Sequence, residues 1–185
     1  MNCKNGGKKM HSYFMRTKRI GFSKWTASNL NLAAELWGDK EVTRFICASG
    51  EFTAQDIQCH LQTEIENGEN YGVQYWPVFN LESGEFIGCC GLRPCGDEKL
   101  VYEIGCHLRK KYWGKGYASE AVQAVIQYGS SILKATKICL GHHPKNAVSK
   151  KMALKFGFQY IGDEFYEPTR LYHPTYELTL KTKCN

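Results

Sequence analysis

The sequence predicts a single α+β (α/β) domain with a mixed, mostly antiparallel central sheet flanked by helices. Three observations carry that prediction. Strand-like and helix-like segments interleave in the order β-α-α-β-β-β-α-β-α-β-β, with three consecutive strands in the middle reading as an antiparallel meander. The chain has 185 residues and is 43% hydrophobic, enough for one buried core without disulfide or metal staples. Neither an internal repeat nor a composition-shifted linker interrupts the order, so residues 15–185 form one domain. Residues 1–14, the polar and glycine-bearing MNCKNGGKKMHSYF, read as a flexible arm.

Each element follows from local pattern. TKRIGFSKW (17–25) alternates like a first strand, and SNLNLAAELW (28–37) places Leu32, Leu36 and Trp37 at helical intervals. Thr53 and Asp56 resemble a capped helix start; the helix continues through Ile57, Leu61 and Ile65 until Asn67 and Gly68 stop it. YGVQYWPVFN and GEFIGCCGLRP are strands joined at Glu82, Ser83 and Gly84, and LVYEIGCHL (100–108) adds a third. Ala118, Ala121, Val122, Val125 and Ile126 share one face of a helix ending near Gly129. TKICLGHH is a buried strand by its apolar run. A further helix starts near Asn146, repeats Val148, Met152 and Phe156 at four-residue spacing, and closes at Gly157. QYIGDEFYEP and HPTYELTL are two last strands around a loop.

The formal charge of +6, from 24 Lys+Arg against 18 Asp+Glu, favours acidic ligands, whether nucleic acid, a membrane surface or a phosphate-bearing small molecule. The nine cysteines come without a signal peptide and in an odd number, which reads as a reducing, cytoplasmic protein. Cys89, Cys90, Cys95 and Cys106 lie near His107, but no C-x-x-C pair occurs, so no metal is expected and the thiols read as small core hydrophobes. No apolar run reaches the roughly 20 residues a membrane-spanning helix needs, so no membrane partner is expected.

The stretch RKKYWGKGYASEAVQAV (109–125) joins the third meander strand to a helix. Glycines at 114 and 116 let backbone N–H groups point inward, and the following helix adds its unpaired N-terminal donors and positive dipole end. A turn of this kind binds phosphate oxygens, with Lys111 and Lys115 beside it. The plainer reading is a glycine loop that only turns the chain. A nucleotide P-loop, G-x-x-x-x-G-K-S/T, is absent. A dinucleotide fingerprint needs glycine at 119, where Ser119 stands, and a parallel βαβ unit in place of the meander.

Lys111-Tyr-Trp-Gly114-Lys-Gly116 resembles Q/R-x-x-G-x-G/A, the pyrophosphate-cradling turn of the GNAT acetyltransferases, with lysine in the first position. YEIGCHL before it, YASEAV after it, and NAVSKKMALKFGF with Asn146, Ser149, Gly157 and Phe158 extend the likeness. Together they resemble the branch that includes ribosomal-protein N-terminal acetyltransferases, over roughly residues 17–180.

The resemblance implies a splayed strand pair in which residues 102–108 keep backbone groups free to pair with the pantetheine arm of acetyl-CoA. By the same resemblance Cys106, His107, Leu108, Lys111, Trp113, Gly114, Lys115, Gly116, Tyr117, Ala118, Asn146 and Ser149 contact the cofactor. A backbone N–H near Leu108 polarises the thioester carbonyl. The attacking amine must be neutral, and Glu103 is the candidate base, acting through a water, with His107 second; the plain reading of Glu103 is a surface or ion-paired carboxylate. Many family members have a tyrosine seven residues after the asparagine to protonate the departing thiolate. Ala153 stands there, so Ser149 is placed near the sulfur, and Asn146 either bonds a pantetheine amide or simply caps its helix. Trp76, Tyr166 and Tyr172 fall where relatives form the acceptor pocket, and Asp163, Glu164 and Glu167 would suit a basic acceptor.

The expected function is acetyl-CoA-dependent transfer of an acetyl group to a primary amine, either a protein N-terminus or a small molecule, by direct attack in a ternary complex. The protein is expected as a monomer or homodimer. Against it stands a non-catalytic CoA-binding module, or a basic nucleic-acid-binding domain. The latter wants Arg109, Lys110, Lys111 and Lys115 to work with Tyr112 and Trp113, residues the cofactor explains more economically.

Overall fold

The computed structural model describes residues 12–180. Its eight strands form one sheet in the order β1-β2-β3-β4-β5-β6-β8-β7. In chain order the elements are β1 (Met15–Arg16), β2 (Ile20–Phe22), α1 (Leu30–Trp37), α2 (Lys40–Thr43), α3 (Ala54–Tyr71), β3 (Tyr75–Asn80), β4 (Phe86–Pro94), β5 (Val101–Leu108), α4 (Tyr117–Ser131), β6 (Lys137–Gly141), α5 (Ala147–Lys155), β7 (Gln159–Tyr166) and β8 (Leu171–Thr179). Every neighbouring pair is antiparallel except β5 with β6. The expected meander is β3-β4-β5.

Two cores, one per face, follow from the strand alternation. Ile104 and Leu108 of β5 join Ile87, Cys90 and Leu92 of β4 under Ala121, Val122 and Val125 of α4, with Cys106 packed against them. On the opposite face Tyr75, Phe79, Phe86 and Cys89 meet Trp25, Leu36 and Trp37 and, from α3, Ile57 and Leu61. Glu103, Gly105 and His107 alternate with the first set and so face the α1–α3 layer. Gly105 has a packing reason: a β-carbon there would lie 2.2 Å from the Tyr75 ring, which passes over it.

Several boundaries differ from expectation, each for a local cause. The expected strand 17–25 is broken, because the chain folds back between β1 and β2 where Thr17 and Arg19 bind Glu120 of α4. Trp25 leaves the sheet to donate its indole N–H to the Tyr75 carbonyl at 2.6 Å. α3 runs through Gly68 to Tyr71, because Gln74 fills the space a side chain at 68 would need, its Nε2 lying 2.3 Å from a β-carbon built there; left-handed Gly72 ends the helix. α4 likewise passes Gly129, which packs closely on Ile138 and Leu92. α2 was not expected; Asp39 caps it by accepting the Glu41 N–H at 2.9 Å. Residues 1–11 of the expected arm lie outside the described residues, whereas Phe14 bonds the Phe22 carbonyl and packs on Trp76 and Tyr128.

Candidate active site

The site is built where β5 and β6 part. They pair only at Val101–Lys137, Tyr102–Ile138 and Glu103–Cys139; beyond that β6 continues along β8, and residues 104–108 pair on β4 alone. One edge of β5 is therefore open from residue 104, next to the start of α4.

The turn between β5 and α4 is bent at its two glycines. Gly114 and Gly116 have φ of 70° and 79°, conformations that favour glycine. A β-carbon at Gly114 would meet nothing within 4 Å, and at Gly116 only Arg19, at 3.5 Å, so the turn is open toward solvent. Gly116 is the N-cap of α4, and no side chain caps the helix. Arg19 braces the turn, pairing with Glu120 at 2.6 Å, donating to the Lys115 carbonyl at 3.0 Å and lying over the Tyr117 ring. Sequence reading missed Arg19 and Glu120, because only the fold brings residue 19 beside residue 120. Lys111 pairs with Glu85, and the Trp113 indole donates to the Leu108 carbonyl at 2.6 Å, fixing the end of the open edge. Across the gap, Asn146 caps α5 by accepting the Ser149 N–H at 3.2 Å, and Ser149 is partly exposed on that first turn.

Glu103 faces the α1–α3 side among groups that sequence reading did not assemble. Its register partner on β4 is Arg93, whose guanidinium pairs at 2.5 Å with the fully buried Glu64 of α3 and lies 4.2 Å over the Tyr75 ring. Glu64 also accepts the Tyr75 N–H at 2.7 Å. Burial raises the Glu103 carboxyl above the ordinary carboxylate range, opposed by Arg93 and by a hydrogen bond from Tyr75, and reinforced by Glu164 and Glu64. The cluster thus sets two carboxylates against one guanidinium.

His107, the other candidate base, is buried and poorly suited to that role. Trp37 donates to its Nδ1 at 3.2 Å, and burial beside Arg93 lowers it to about 4, too weak to hold a proton near neutrality. His60 is lowered further, to about 3, by the same causes.

The expected acceptor residues divide. Trp76 is 1% exposed in the α4-side core against Phe14 and Tyr128, and its role is packing. Tyr172 packs on Phe165, on the opposite face of the β7–β8 hairpin from Tyr166. Tyr166 packs on His173, and the Glu103 and Arg93 charges both act on its hydroxyl. Glu164 shares its side, whereas Asp163 accepts the Tyr160 hydroxyl at 2.9 Å. A cavity of about 530 Å³ opens nearby, lined by Cys47, Ser49, Phe52, Asp56, His60 and Pro168. His60 links it to Arg93, with a ring nitrogen 3.3 Å from the guanidinium.

Comparison with known proteins shows the family and the fold. Residues 19–159 match the family described as Acetyltransferase (GNAT) domain. An uncharacterized N-acetyltransferase, p20 of Bacillus licheniformis, is 32% identical over 151 residues, covering 79% of this chain and 82% of its own. A crystal structure of a GNAT-family acetyltransferase from Bacillus anthracis superposes with a TM-score of 0.73 at 23% identity, covering 89% of this chain and 97% of that one. RimL, a ribosomal L7/L12 α-N-protein acetyltransferase solved in complex with coenzyme A, gives 0.77 at 13% identity, covering 93% and 100%.

Proposed function

The chain belongs to the GNAT acetyltransferases, and from that premise we propose that this N-acetyltransferase uses acetyl-CoA to acetylate a primary amine by direct attack in the gap between β5 and β6. The observation that carries the reading is the open edge of β5 ending in a positive-φ glycine turn at an uncapped helix N-terminus. These residues fit the cofactor: the turn is open where a phosphate would approach, and the edge leaves backbone groups for an extended amide-bearing arm.

In this reading the N–H groups of residues 114–118 hold the pyrophosphate, with Lys115 alongside, and residues 106–108 line the pantetheine arm. The bound group supplies an activated acetyl thioester. Glu103 takes a proton from the incoming ammonium, directly or through a water, which an amine of pKa about 8 to 10 requires near neutrality. A carboxyl raised by burial is a stronger base than an ordinary one, and the charges of the Arg93–Glu64 pair act on it in opposite directions. The acceptor approaches on the α1–α3 face, past Tyr166 and Glu164, whose carboxylate suits a cation. Protein N-terminal amines and small-molecule amines both meet that chemistry, and the former would match the RimL-type branch. Ser149 and Asn146 stand on the α5 side, where the sulfur would lie.

Calorimetric titration tests the reading. Acetyl-CoA is expected to bind with one site per chain, and NAD weakly or not at all; tighter binding of NAD would overturn it.

A further inference from the structure

Arg93 of β4 stands directly opposite Glu103 of β5. The Arg109 N–H bonds the Ile87 carbonyl at 3.0 Å, and the Cys95 N–H bonds the Val101 carbonyl at 3.2 Å. By alternation residues 93 and 103 are then a hydrogen-bonded pair as well, with α-carbons about 5.5 Å apart and side chains on one face. Opposite charges so placed are a stabilising cross-strand pair. Among the described residues, however, the Arg93 guanidinium makes its ion pair with Glu64 alone, at 2.5 Å. Glu64 comes from α3, and its side chain has no exposed surface. Its second oxygen accepts the Tyr75 N–H at 2.7 Å, so the carboxylate is anchored at both ends. The guanidinium lies 4.2 Å over the Tyr75 ring, and its Nε is buried with no hydrogen-bond partner, a donor left over.

We infer that Glu64 is a positioning residue for acetyl transfer: it holds the Arg93 guanidinium toward α3 and so keeps it from clamping Glu103, an inference that rests on the base role given to Glu103 above. A carboxylate locked onto a guanidinium is a poor proton acceptor, because taking the proton gives up the charge-assisted bonds. The other groups that face Glu103 do not replace Arg93. Tyr75 on β3 donates a hydrogen bond to the carboxyl, and Glu164 on β7 repels its charge. Tyr166 on β7, Cys139 on β6 and Cys95 just past β4 complete the surroundings. His107 and His60, lowered to about 4 and about 3, are neutral there. Arg93 is thus the one cation in this set, and the direction its charge faces decides how readily Glu103 takes a proton.

Carbon-13 titration of the Glu103 carboxyl, assigned with Glu103→Gln, reads the effect without any acceptor amine. In Glu64→Gln the released guanidinium should turn to Glu103, and the titration should fall by about one pH unit or more, as when an arginine closes on a carboxylate. Removing the guanidinium as well, in the Glu64→Gln, Arg93→Gln double variant, should return the titration to the parent's position or above. A merely structural role for Glu64 does not predict that recovery. Thiol release from acetyl-CoA, with spermidine and an alanine-initiated peptide as amine probes, should follow the same pattern. It should be about 3- to 10-fold slower in Glu64→Gln, with the acid limb at lower pH, and regained in the double variant, while acetyl-CoA affinity stays unchanged. An unmoved or raised titration in folded Glu64→Gln would overturn the inference and leave the base role of Glu103 standing. The double variant buries no lone charge and keeps the test if Glu64→Gln does not fold; a Glu103 titration below the parent's in it would overturn the inference equally. Thiol release by Glu103→Gln at the parent's rate at every pH would overturn the base role, and the part given to Glu64 with it.

Discussion

Glu103 is held between opposing influences, with burial and neighbouring carboxylates raising its pKa and Arg93 and the Tyr75 hydroxyl lowering it. As the proposed base it works only when ionised, so the rate should fall as pH drops through that raised value. Glu103→Gln should cost about 100-fold or more below the acceptor's pKa, with the deficit shrinking as free amine becomes abundant at higher pH. Tyr75→Phe should move the acid limb of the pH–rate profile to higher pH, since it removes one of the two groups that favour the carboxylate; a limb moving the other way would contradict the placement of Tyr75. Two buried histidines contribute to the pH dependence of stability. His60 and His107 have folded pKa values of about 3 and about 4, below the ordinary 6.5, so the folded state binds fewer protons than the unfolded chain. Stability is therefore lost as pH falls from about 6.5 toward those values. Glu103 and Glu64, both raised, act with the opposite sign, favouring the fold as they protonate. His107→Gln keeps an acceptor for Trp37 and should flatten the decline in chemical-denaturation stability between pH 6.5 and 4.

The turn and the helix behind it form the element on which cofactor binding depends. Gly116→Val places a branched side chain at φ 79°, where L-residues are strained, and fills the approach to the α4 N-terminus. Acetyl-CoA affinity by calorimetry should fall about 100-fold or more while the circular dichroism of the fold persists; unchanged affinity in a folded variant would remove the turn from the cofactor site. Glu120→Ala should loosen the same turn indirectly, leaving Arg19 without the carboxylate that aims it at the Lys115 carbonyl. A loss of roughly 3- to 10-fold in affinity is expected, consistent with one partly exposed ion pair and its hydrogen bonds. The turn was legible because its signal is contiguous: two glycines, basic neighbours and a helix-like run. The Arg19–Glu120 brace was not, because it joins residues 101 positions apart.

Across the whole molecule, the order of strands and helices was readable because both periodicities are strong, and the splay came from the resemblance. Errors of extent had tertiary causes: Gly68 and Gly129 look like helix stops in isolation but sit inside helices where close packing asks for glycine. The faces of the candidate site residues were hidden for the same reason. Trp76 and Tyr172 are aromatics at plausible positions, and only the pairing of β3, β7 and β8 reveals which face each takes. The proposed division of labour, with the cofactor against α4 and α5 and the acceptor against α1 and α3, makes the two substrates meet only in the gap between β5 and β6. The most direct test is thiol release from acetyl-CoA measured over a panel of amines, from peptide N-termini to polyamines, with the parent and Gly116→Val side by side. The expected result is release that requires an amine, yields one acetylated product per thiol and collapses in the variant at subsaturating acetyl-CoA. Release that proceeds equally without any amine, or survives undiminished in a folded Gly116→Val protein, would contradict it.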